Sequence, residues 1–313
     1  MTEFSWTPDP DSGITQRFVE AGGMKFELAE CGTGDKLALC LHGFPELNFS
    51  WRYQMPMLAT KGWRVWAPNL RGYGASDKPE GVREYALDRL TDDVAALIDL
   101  AKSEATTKEV MIIAHDWGGI IAWAFAILKL RPIDKLVIMN VPHPKVADRE
   151  IRRWTQFKMS WYIFFFQLPW LPERLNLKEG GAFIKRAFLG MAVDKSRFPK
   201  EVLQVYADAA FRPGAITGMI NYYRALLRHR KSVNLGSCRI DTPTLMIWGE
   251  RDLALNIKCS EGTEEWVPNF TLHRLPGVSH WVQQEAPEKV NALLSGWLDG
   301  VNSPGQDWPA SKG

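Results

Sequence analysis

Cysteine is scarce in this chain of 313 residues: Cys31, Cys40, Cys238 and Cys259 are all there is, with no C-x-x-C pair. That argues against a disulfide framework and makes a reducing, cytoplasmic compartment the expectation. An excess of one charge is lacking too. Lys and Arg total 38 against 36 Asp and Glu, a net +2, too small a bias to imply nucleic acid as a partner. Long apolar runs are missing. The most aromatic stretch, "WYIFFFQLPWL" (161–171), is too short to span a bilayer and is broken by Pro169. It reads as a buried or cleft-lining segment. The first residues, "MTEFSWTPDPDSG", lack the basic-then-apolar order of a signal peptide. No internal repeat appears, and no His/Cys/Asp cluster has metal-ligand spacing, so neither metal nor cofactor is expected.

What is present fits a globular fold: 46% hydrophobic and 24% charged residues suffice for a large core. Five runs, 36–41, 63–68, 109–115, 135–141 and 244–249, are apolar without alternation. A sheet covered on both faces requires that pattern. Residues 86–103 carry apolar side chains at a helical period. Strand and helix alternate, which predicts an α/β fold with a mostly parallel sheet. Residues around Gly22-Gly23 predict antiparallel edge strands. The alternation stops near 142 and resumes at 244. The expected organisation is a core (1–142), an inserted all-helical cap (143–238), the rest of the core (239–302) and a tail (303–313).

The chemistry centres on "MIIAHDWGGIIAWAFA" (111–126). A buried strand runs into a small-residue turn and then a helix. The turn has the spacing of a nucleophile elbow, but Asp116 stands where G-x-S-x-G enzymes carry serine. Alone, Asp116 could be a helix N-cap. Its company decides otherwise. "LHGFPE" (41–46) follows a strand, where Phe44 would offer one oxyanion N–H and Trp117 the other. Pro45 fixes that turn; His42 reads as a buried histidine bonding the loop backbone. Asp252 follows a strand end, with Glu250 and Asp77 as competing carboxylates. His280 lies in a loop after "FTLHRL", with His143 the other plausible candidate. The order nucleophile, acid, histidine matches hydrolases of this sheet type.

An aspartate at the elbow is already an anion at neutral pH. It suits attack on a saturated carbon, leaving an alkyl ester that water activated by His280, oriented by Asp252, can cleave. Epoxides and alkyl halides are the substrates that chemistry takes. An epoxide oxygen needs a proton donor as the ring opens. Tyr162 and Tyr223 are candidates, with Tyr222 the neighbouring alternative and aromatic packing the plainer reading of all three. Trp154, Trp161, Phe165 and Trp170, with Trp281 beside the histidine, are expected to line an apolar pocket.

Taken together, "HGFPE", "RGYGASDKP", "HDWGG", "NYYR" and "GVSHW" resemble the soluble-type epoxide hydrolases of the α/β-hydrolase fold, over roughly residues 18 to 300. The resemblance implies Asp116 as nucleophile, Asp252 as charge-relay acid, His280 as base, and Tyr162 and Tyr223 as epoxide-polarising tyrosines. It implies a small apolar epoxide and water as partners, no cofactor, no membrane span, and a monomer or homodimer. Haloalkane dehalogenases are similar at the elbow, but they usually carry Asn near the "HG" loop, where this chain has Phe44. A ligand receptor of the same fold is the non-enzymatic alternative, and turnover at catalytic enzyme concentration distinguishes it.

Overall fold

The computed structural model describes residues 4–301; the predicted tail at 303–313 lies outside them. Eight strands form one sheet: β1 (Ile14–Ala21), β2 (Met24–Cys31), β3 (Lys36–Leu41), β4 (Trp63–Pro68), β5 (Glu109–His115), β6 (Lys135–Met139), β7 (Thr244–Gly249) and β8 (Phe270–Leu275). Their spatial order is β1-β2-β4-β3-β5-β6-β7-β8. β1 and β2 form an antiparallel hairpin, β2 runs antiparallel to β4, and every later pairing is parallel.

The continuous apolar runs have the cause inferred for them. Leu37, Leu39, Leu41, Ile112 and Ile138 pack on one face of the sheet. Ala38, Cys40, Met111, Ile113 and Val137 pack on the other. The first face is covered by α2 (Leu87–Glu104) and α3 (Trp117–Leu128). The second is covered by α1 (Gln54–Thr60) and by the helix Pro287–Leu298. β6 ends two residues sooner than its apolar run suggested, because Asn140 turns to φ 45° and leaves the extended region.

Between β6 and β7 the described residues hold helices and no strand. They are α4 (Pro144–Ile151), α5 (Trp154–Met159), α6 (Trp161–Phe165), α7 (Leu171–Met191), α8 (Lys200–Ala210) and α9 (Ala215–Arg228). Non-helical backbone at 178–181 breaks α7, with Gly180 and Gly181 at positive φ. After β8 come α10 (Val282–Glu285) and the helix already placed at Pro287–Leu298, α11. The carboxyl ends of β3, β5, β7 and β8 all open toward this helical insert. Open α/β sheets place their sites at such ends.

Candidate active site

Asp116 sits at the β5–α3 junction with φ 47° and ψ −119°. That strained turn lifts its side chain above the sheet edge, and close packing holds it there. A Cβ on Gly118 would run into the backbone of Leu41 and His42, and one on Gly43 into the Asp116 side chain. Only glycine permits such approach at either position. The Phe44 N–H donates to Asp116 Oδ1 at 2.7 Å. Trp117 opens α3, so its N–H is one of the first-turn donors the helix itself leaves unbonded. The Phe44–Pro45 peptide is cis.

His280 brings Nε2 to 3.6 Å from Asp116 Oδ2, and its Nδ1–H donates to Asp252 Oδ2 at 2.7 Å. Asp252 is fully engaged. Asn140 Nδ2 donates to the same oxygen at 2.8 Å, and the Ala254 and Leu255 N–H groups bond Oδ1 at 2.7 and 2.9 Å. Burial pushes the His280 imidazolium toward losing its proton, but the Asp252 charge and then the bond to Asp116 outweigh that and raise its pKa. Burial opposes ionisation of Asp116 as well. The interaction with His280 more than offsets it, and the carboxyl is held below its usual range. Each shift favours the charged form of its group, and each owes much of that to the other.

Above this pair lies a cavity of about 420 Å³, lined by Asp116, Trp117, Tyr162, Ile163 and Tyr223 among others. The Tyr162 and Tyr223 rings stand edge to face at 5.7 Å. Tyr223 also packs edge-on against Phe44 (5.2 Å) and Trp117 (5.1 Å). Burial first, and then the Asp116 charge, raise the pKa of both phenols, so both are protonated donors. Arg224 fixes their relation. From α9 it donates to the Phe166 and Leu168 carbonyls and pairs with Glu173 at 2.6 Å. The segment bearing Tyr162 is thereby tied to the helix bearing Tyr223. Tyr222, by contrast, donates its hydroxyl to the Arg71 carbonyl at 2.8 Å.

The alpha/beta hydrolase fold family profile matches residues 39–287. Human epoxide hydrolase 4 is 36% identical over 283 residues, covering 88% of this chain and 76% of that protein. The Bacillus subtilis AB hydrolase superfamily protein YfhM is 37% identical over 289 residues, 91% of this chain and 98% of that one. A Bacillus megaterium epoxide hydrolase, crystallised with an inhibitor, superposes with a TM-score of 0.82 at 28% identity, covering 90% of this chain and all of that one. The chain belongs to the epoxide hydrolases of the α/β-hydrolase fold.

In this epoxide hydrolase the competing residues have other employment. His42 accepts from the Leu70 N–H and donates to the Gly43 carbonyl; burial lowers its pKa to about 4, so it is neutral. His143 caps α4 and bonds the Cys238 carbonyl. Asp77 accepts from the Lys25 N–H and shapes its loop, and Glu250 is exposed.

The pocket residues need correction. Trp154, Trp161 and Trp170 are exposed, not pocket-lining. Phe165 packs on Trp161 and Phe166 and is not among the cavity's walls. Trp281 is buried behind His280 against Phe188. The physical reason is helical phase. Each residue of α6 turns about 100° from the last, so with Tyr162 and Ile163 inward, Trp161, Phe164 and Phe165 fall elsewhere. The 161–171 stretch is thus only partly cleft-lining.

Two groups escaped the sequence reading. His115 places Nδ1 2.7 Å from Glu46 Oε2 and Nε2 2.9 Å from the His280 carbonyl. Glu46 also accepts from the Gly43 N–H, Gln283 and Gln284. This buried network joins the loops that carry Phe44, Asp116 and His280. Its signal was a carboxylate in "HGFPE" and a histidine next to the elbow. The second is a placement: His229, whose sequence context in "RALLRHRK" reads as structural, is half-buried and lines the cavity with Arg230.

Proposed function

We propose that the enzyme opens a small apolar epoxide to a vicinal diol through a covalent ester on Asp116. The observation that carries this reading is an aspartate at the elbow, paired with His280 on one side and facing two protonated tyrosines across an apolar cavity. In the first half, an Asp116 oxygen attacks one epoxide carbon. The C–O bond of the ring breaks as the O–C bond of the ester forms, and Tyr162 and Tyr223 donate to the alkoxide as its charge grows. In the second half, the ester no longer carries the charge that held the His280 proton. His280 gives up that proton, which ends on the ring-opened alkoxide and makes it a hydroxyl, and the neutral imidazole then takes a proton from water. The water oxygen attacks the ester carbonyl, and the oxyanion forms at the Phe44 and Trp117 N–H groups. Collapse breaks the acyl C–O bond as His280 gives its proton to the leaving oxygen; the diol departs, and the proton left on the Asp116 carboxyl returns to His280, regenerating the carboxylate.

Residues 143–238 act as the cap that supplies the tyrosines and shuts water from the alkylation step. Leu90, Ile120, Val141, Ile163 and Leu226 make the cavity walls apolar, which suits an aryl or alkyl epoxide. The four cysteines are free and buried, in keeping with a cytoplasmic enzyme. No described helix is long and apolar enough to cross a membrane.

One turnover in heavy-oxygen water with enzyme in excess tests the scheme. Label is expected in the Asp116 carboxyl and not in the first diol. A labelled first diol would mean direct attack by water.

A further inference from the structure

Among the described residues, seven of the thirteen exposed large apolar side chains fall between 154 and 175. A scatter of single residues would need no explanation, but a concentration does. Trp154 is 66% exposed, and Trp161 and Trp170 are each 59% exposed. Trp154 stacks on Phe157 at 5.9 Å, and Phe157 meets Phe164 at 5.6 Å, so part of the set is one continuous outer surface.

The charges left unpaired on it have one sign. No Asp or Glu occurs between Glu150 and Glu173, while Arg152, Arg153 and Lys158 do. Neither flanking carboxylate is free: buried Glu150 pairs with Arg149 and Arg153, and Glu173 turns inward to Arg224. Lys158 lies 4.8 Å over the Trp154 ring and Arg174 5.0 Å over the Trp170 ring. Arg152 pairs with Asp148 at the margin. Exposed tryptophans lying under two cations with no carboxylate partner among the described residues, Lys158 and Arg174, match the boundary between lipid headgroups and acyl chains. The chain's near-zero net charge hides this local excess.

We propose that this outer face docks on an anionic lipid surface. The tryptophans seat at the headgroup boundary, and Lys158 and Arg174 meet lipid phosphates. Ile151, Gln156, Tyr162 and Ile163, which line the cavity, belong to the same helices or their borders. Docking therefore sets the cavity next to the phase into which apolar small molecules partition.

The test is flotation of the full chain with vesicles of phosphatidylcholine alone, or mixed with phosphatidylglycerol. Binding to the mixed vesicles is expected, weakening as salt rises. Trp154→Ser combined with Trp161→Ser should lower that binding by about tenfold or more with an unchanged melting curve. Lys158→Gln combined with Arg174→Gln should reduce it toward the level seen with phosphatidylcholine. Failure of the wild type to float, or equal flotation of the tryptophan variant, would overturn the proposal. So would a dimer in buffer that the tryptophan variant dissolves, since that would assign the face to a second copy.

Discussion

The two sides of the cavity are built differently. Beneath it, Asp116, His280 and Asp252 stand on turns at strand ends, with several hydrogen bonds fixing each loop. Above it, Tyr162 stands on a helix whose neighbours Trp161 and Phe164 are exposed, Tyr223 stands on α9, and Arg224 and Gln167 tie the two segments together. The lower half is positioned by backbone geometry that few sequences tolerate. The upper half is positioned by side-chain packing that many sequences could supply. Substitutions should therefore act on chemistry below, and on the ease of ring opening above.

The largest effect tests the lower half. Asp116→Ala should lower diol formation by about 10⁴-fold or more, since no covalent route survives. His280→Gln should still alkylate and then stall, giving intact protein heavier by one substrate in mass spectrometry. Continued multiple turnover by that variant would reassign the base.

The upper half comes next. Tyr162→Phe and Tyr223→Phe together should slow alkylation by about 10²–10⁴-fold, and each alone by much less. Rapid-quench measurement of the ester separates this from its hydrolysis. If hydrolysis slows and alkylation does not, the tyrosines have another task.

A pH experiment compares the halves by stability. His42 in the core and His143 at the start of the insert both have pKa values lowered by burial to about 4. Between that value and the unfolded ~6.5, the unfolded chain binds protons that the native state does not. Their contribution is thus complete above ~6.5 and lost as pH falls toward 4. For His42 it is roughly 3 kcal/mol. Urea midpoints should fall across this window, and His143→Gln should flatten part of the slope.

The smallest effect is at Asn140→Ala. It removes the amide that donates to Asp252 and accepts from the Gly249 N–H. About a tenfold slowing of ester hydrolysis is expected, with alkylation unchanged in the same quench experiment.

What the sequence alone determined follows from short-range rules. Strand, turn and helix periods are local, so the strands on either side of Asp116 and the covered sheet were legible. So was the order of aspartate, acid and histidine, because strand ends are where such groups must stand. What only the tertiary structure decided is which way side chains face across the insert. Tyr222 and Tyr223 are neighbours in sequence and both reach the cavity wall, yet the Tyr222 hydroxyl is committed to the Arg71 carbonyl while the Tyr223 ring stands edge to face with Tyr162. Trp161 precedes Tyr162 and points to solvent. A helix buried on one face and crowded with aromatics on several carries no periodic label for the face that matters. Its phase is set by partners distant in sequence on α9: Arg224, which donates to the Phe166 carbonyl, and the Tyr223 carbonyl, which accepts from Gln167.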